Sequence, residues 1–144
     1  MKGLKLVVVT AALGLAACGG ATTEPDVDVG TQHSVQPGAD VRLRLNDVAT
    51  VRGTNVRVKF VGVPADSRCP IDALCVWQGD AEVKLEVMQT RDDVRRETLH
   101  TGVEPRSLVV EDYRVELLEV APATTSTDSI RQREYSVRLR IARN

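Results

Sequence analysis

From Val41 to Ile141, apolar and polar side chains repeatedly alternate with a period of two. Val41, Leu43 and Leu45 alternate with Arg42 and Arg44; Val56, Val58 and Phe60 alternate with Arg57 and Lys59. Val83, Leu85 and Val87 alternate with Glu82, Lys84 and Glu86, and Tyr113, Val115 and Leu117 with Arg114 and Glu116. Tyr135, Val137, Leu139 and Ile141 alternate with Ser136, Arg138 and Arg140. Successive side chains of a strand point to opposite faces, so each segment has one face to bury and one to hydrate. No part of this region holds a helical period over three turns. Residues 41–144 suffice for one domain with one core. The expected fold class is therefore all-β: a small antiparallel sandwich, or a barrel-like closure of the same strands.

Turn residues fall where such a fold needs them. Arg52-Gly53-Thr54-Asn55 can join a strand at 48–51 to the one beginning at Val56, and Arg91-Asp92-Asp93 can lead into a strand at 94–100. Glu111-Asp112 reads as a two-residue hairpin loop between 108–110 and 113–120. "VRVKFVGVPA" (56–65) and "YRVELLEVAPA" (113–123) share a change of parity, at Val61 and at Leu118. Such a shift implies either a β-bulge or a strand bending from one sheet into the other.

The amino-terminal stretch has a different character. MKGLKLVVVTAALGLAAC places Lys2 and Lys5 before an apolar run, Leu6 to Ala17, that is too short to span a bilayer as a helix. This is the pattern of a secretory signal peptide, assigned to residues 1–17. Leu15-Ala16-Ala17-Cys18 resembles the lipobox of bacterial lipoproteins. That resemblance implies cleavage before Cys18 and attachment of fatty acyl chains, palmitate among them, to its sulfur and new amino terminus. Each buried CH₂ contributes about 0.8 kcal/mol, so two or three chains make a lasting anchor. The expected location is the bacterial cell envelope. Gly19, standing where inner-membrane lipoproteins carry aspartate, favours the outer membrane in a Gram-negative host. Residues 18–40 have no apolar period and read as a flexible tether before the β domain at 41–144. Cleavage removes Lys2 and Lys5 and leaves 17 basic against 20 acidic side chains, a net charge of −3. That balance gives no basis for binding nucleic acid.

The stretch richest in chemistry is "VPADSRCPIDALCVWQGDAEVKLEV" (63–87). In an oxidising compartment, with Cys18 acylated, Cys69 and Cys75 are left to pair as a disulfide. Closing so small a loop removes about 2 to 2.5 kcal/mol of unfolded-state freedom. Two rivals stand beside this reading. A metal site needs further soft ligands, but His33 falls in the tether and His100 alone at a strand end, while Asp66, Asp72 and Asp80 lack calcium-loop spacing. Alternatively, Arg68 on a disulfide-held loop resembles the basic side chain that small protease inhibitors display. Strand alternation through Cys75-Val76-Trp77 places Trp77 on the cysteine's face, packed over the disulfide; an exposed binding aromatic is the other possibility.

Asp66, Ser67, Arg68, Cys69 and Pro70, then Cys75, Val76, Trp77 and Gly79, are similar to a signature of small bacterial lipoproteins and secreted proteins with no assigned activity. The resemblance covers about 22 residues. It implies an envelope β domain and supplies no catalytic residue. The chain carries no G-x-S-x-G elbow, H-E-x-x-H pair or phosphate-cradling glycine loop, and we expect neither an enzyme nor a bound cofactor or metal. The expected role is a binding module that presents loop 64–77, with Asp66, Arg68, Asp72 and Trp77 as contact residues, to another envelope protein or a small periplasmic ligand. The alternative is an accessory lipoprotein whose loop serves stability only.

Overall fold

The computed structural model describes residues 29–90 and 92–144. Residues 1–28, with the expected signal peptide and the expected acylation site Cys18, and Arg91 lie outside the described residues. The order of elements is β1 (Gln32–Val35), β2 (Asp40–Arg44), β3 (Val48–Val51), β4 (Arg57–Asp66), β5 (Ala81–Met88), β6 (Val94–His100), β7 (Ser107–Val110), β8 (Tyr113–Ala121) and β9 (Ser136–Arg143), with a 3₁₀ turn at Gln132–Glu134 before β9. No α-helix forms among the described residues.

Two sheets divide these strands. The larger is ordered β1-β3-β4-β5-β6 and the smaller β2-β9-β8-β7, so the sandwich is realised and the barrel closure is not. All pairings are antiparallel except β1 with β3. The alternation dictates what fills the space between the sheets. Val58, Phe60, Val83, Leu85 and Leu99 from the larger sheet, and Leu43, Val115, Leu117, Leu139 and Ile141 from the smaller, are buried in one cluster. Phe60, the single phenylalanine, is wholly enclosed. Edge strand β6 exposes Val94, Arg95 and Arg96, and only its Leu99 is buried; the two arginines discourage pairing with another chain.

The hairpins close as their turn residues require. Val110 pairs with Tyr113 across Glu111-Asp112, where Glu111 takes φ 51°. Both parity shifts are bulges. The register slips between Phe60 and Gly62 in β4 and between Leu117 and Glu119 in β8, and each strand stays in its own sheet. β4 slips again between Gly62 and Ala65, and Gln132 braces that second irregularity: its Nε2 donates to the Val63 carbonyl at 2.6 Å and its Oε1 accepts from the Val63 N–H at 3.0 Å.

One boundary differs from the sequence expectation. The ordered domain begins before residue 41, because four residues assigned to the tether form β1 and pair with β3 from Gln32↔Val48 to Val35↔Val51. Asp47 is the reason. This buried carboxylate accepts from the Thr31 N–H at 2.6 Å and the Arg44 N–H at 2.8 Å, with His33 Nε2 at 3.2 Å. Burial alone would raise the Asp47 carboxyl, but these donors and the His33 ring hold it below the ordinary value. His33 is thus a strand residue bound to a carboxylate, not part of a spacer.

Candidate functional site

Loop 64–77 starts in the last residues of β4 and is bonded along the β8–β9 connection before the chain returns at β5. Its base is zipped. The Ser67 N–H donates to the Asp80 carbonyl at 2.7 Å, and the Cys69 N–H donates to the Gln78 carbonyl at 3.0 Å. Gly79 sits at φ +71°, and a Cβ there would lie 1.9 Å from the Ser67 carbonyl oxygen. Only glycine lets the two arms of the loop approach this closely. Above the base, Cys69 and Cys75 are bonded to each other, with Cα atoms 5.9 Å apart.

Arg68 does not face solvent. Its Nε and Nη2 donate to the two carboxylate oxygens of Asp66 at 2.9 and 2.6 Å, and its Nη1 and Nη2 donate to the Val120 and Pro122 carbonyls at 2.6 and 2.9 Å. The Tyr135 hydroxyl donates to Asp66 Oδ2 at 3.0 Å. The Asp66 and Arg68 side chains keep 8% and 15% of their accessible surface. Burial acts to raise the Asp66 carboxyl, but the Arg68 guanidinium and N–H and the Tyr135 hydroxyl bring it below the usual 3.8. The same burial and the neighbouring carboxylate push the Tyr135 phenol up to about 12. Arg68 is therefore a bolt between the loop and the β8–β9 connection. A protease-inhibitor-like display of Arg68 loses the residue it needs.

Asp72 is likewise engaged. Its Oδ1 accepts from the Ser126 N–H at 2.9 Å and its Oδ2 from the Ser126 hydroxyl at 2.6 Å, which hold its carboxyl low. The Ile71 N–H donates to the Thr124 carbonyl at 3.0 Å. Asp80 sits apart from these groups, with His100 Nδ1 at 2.6 Å and the Thr101 and Gly102 N–H groups donating to its Oδ1. Asp66, Asp72 and Asp80 thus each serve a separate backbone or side-chain partner. No group of three or more His, Cys, Asp or Glu side chains that could hold a metal gathers among the described residues.

Trp77 corrects a second expectation. Residues 67–80 form no strand, so the alternation through Cys75-Val76-Trp77 does not operate and the indole is not packed away over the disulfide. Trp77 is 81% exposed, and with it Ile71 (75%), Leu74 (106%) and Val76 (88%). These three aliphatic side chains stand exposed where polar-residue reasoning does not look. Their signal was available in "CPIDALCVWQ", an apolar run inside a closed ring too short to be a strand. Beside the disulfide, Arg68, Cys69, Gln78, Gly79 and Thr101 line a cleft of about 240 Å³. That is below the ~300–1,000 Å³ of ligand pockets. The arrangement offers a rigid apolar prominence; Asp66, Arg68 and Asp72, expected as contacts, are consumed in holding it. No protein-family model, curated protein or solved structure matches this chain.

Proposed function

We propose that this chain is a lipid-anchored protein of the bacterial cell envelope that acts as a binding module, with loop 64–77 as its docking element. One observation carries the docking role: four large apolar side chains stand exposed on a loop fixed by a disulfide, an ion pair and a glycine-dependent close approach. Scattered exposed apolar residues are ordinary on a protein surface, whereas a cluster held rigid for no internal purpose marks an interaction site. The anchor is supported by Lys2, Lys5 and the Leu15-Ala16-Ala17-Cys18 run, and it places the module at the envelope, at the outer membrane in a Gram-negative host. The reading assigns no catalysis and no cofactor.

The test uses the intact lipoprotein. Mass spectrometry of the mature amino terminus should find acylated Cys18, and Cys18→Ser should release the protein from the membrane fraction. A photo-crosslinker at residue 76 should capture an envelope component, and Leu74→Ser with Trp77→Ser should abolish the capture without lowering the melting temperature. Unchanged capture in that variant refutes the docking role. The internal use of Asp66, Arg68 and Asp72 favours a second reading, an accessory lipoprotein whose loop only stiffens the fold. In that case reduction of the disulfide lowers stability and no separate binding defect follows.

A further inference from the structure

We infer that the tip of the disulfide loop seats in the lipid surface of the same membrane that holds the acylated amino terminus. This gives the domain a second, non-covalent contact and a set orientation on the bilayer. The inference rests on the anchor proposed above and names the partner of that same loop.

The path of the chain is the first argument. β1 runs parallel to β3, and β3 antiparallel to β4, with Gln32 opposite Val48 and Val48 opposite Lys59. Followed backwards from Gln32, the chain therefore heads along β4 toward Asp66 and the loop. Val29 and Gly30 share a hollow with Arg133, the neighbour of the Gln132 that grips Val63. The described chain thus begins near the level of Val63, at the loop's end of the sandwich. From Val63 to Ser67 is about 13 Å of strand at ~3.3 Å per residue, and the seven residues from Ser67 to Leu74 add at most about 25 Å more. The segment from Cys18 to Val29 spans at most about 40 Å. A membrane holding Cys18 is therefore within reach of the loop tip.

The chemistry of the tip is the second argument. Ala73-Leu74-Cys75-Val76-Trp77 carries no charge, and the one ionic side chain between Cys69 and Gln78 is Asp72, turned onto Ser126. Leu74 is fully exposed, and the adjoining cleft is smaller than a ligand pocket. A protruding apolar tip with an indole beside it suits the boundary between head groups and acyl chains, where tryptophan concentrates.

Trp77 is the single tryptophan, so its fluorescence reports on the loop alone. Full-length acylated protein is reconstituted in vesicles of phosphatidylethanolamine and phosphatidylglycerol containing acyl-brominated lipid. The expected result is a shift of emission to shorter wavelength, quenching by bromine, and loss of acrylamide access. Leu74→Ser with Val76→Ser, which keeps the probe, should remove the bromine quenching while the disulfide and melting temperature stay unchanged. Acylated protein whose Trp77 remains in water overturns the inference and leaves the anchor standing. An unmodified Cys18 overturns both. Shielding in native membranes but not in protein-free vesicles assigns the tip to a partner protein, and concentration-dependent shielding without vesicles assigns it to a second copy; either refutes a lipid seat.

Discussion

Replacing Arg68 by alanine tests the bolt that holds the loop. The substitution removes four side-chain hydrogen bonds, two to Asp66 and two to the carbonyls of Val120 and Pro122. It leaves the Asp66 carboxylate with the Tyr135 hydroxyl and one N–H as its donors. Removing one partner of a buried ion pair costs about 3–5 kcal/mol. Because both side chains keep a little solvent contact, the lower end applies, near 3 kcal/mol. At roughly 4 °C per kcal/mol for a domain of this size, the melting temperature should fall by about 12 °C. Adding Asp66→Asn removes the orphaned charge and should restore part of the loss, so the double variant is less destabilised than the sum of the singles. The pH dependence has a definite sign. In the parent, Asp66 is held below its ordinary 3.8, so its contribution is present above that pH and is lost as pH falls through the lower folded value. Without Arg68, burial raises the carboxyl instead, and the penalty is relieved on acidification. The gap between parent and variant should therefore be widest near neutrality and narrow in acid. Thermal unfolding followed by far-ultraviolet circular dichroism across pH measures both effects. An Arg68→Ala protein melting within about 2 °C of the parent at pH 7 refutes the bolt.

Three further outcomes follow from the same geometry. Cys69→Ser with Cys75→Ser should cost about 2 to 2.5 kcal/mol in urea titration without loss of β-structure, because the loop base and the Arg68 contacts remain. Gly79→Ala should cost at least about 3 kcal/mol, since a positive φ and a clash with the Ser67 carbonyl act together; a variant as stable as the parent refutes the close approach. Tyr135, with its phenol raised from 10.0 to about 12, should ionise late in an absorbance titration. Its raised value means that the stability it gives is full below pH 10 and is lost as pH rises toward 12, a loss that Tyr135→Phe should not show.

The sheet architecture was legible because its cause is local. A residue's position on a pleated strand determines its face, so Val83, Leu85 and Val87 announce a buried row without knowledge of what covers it. The bulges at Val61 and Leu118 were visible for the same reason, as breaks in parity. β1 was not visible. Four residues carry too short a pattern, and they are ordered by a carboxylate at Asp47, 12 residues or more beyond them. The loop is not legible from alternation, because residues 67–80 form no strand. Strand parity puts Trp77 on the disulfide, whereas the closed ring turns Trp77, Ile71, Leu74 and Val76 to solvent.

By itself, the amino-acid order determined an all-β domain, the positions of most strands and turns, and one available cysteine pair once Cys18 is taken as the anchor. Tertiary structure alone decided that the described strands form two sheets and not a barrel, that Arg68 and Asp66 face inward, and that the loop's apolar side chains face out. The division has a physical origin. Alternation records the sterics of neighbouring residues, whereas the donors and acceptors that turn Arg68 inward lie 52 and 54 residues further along the chain and meet it only when the two sheets pack.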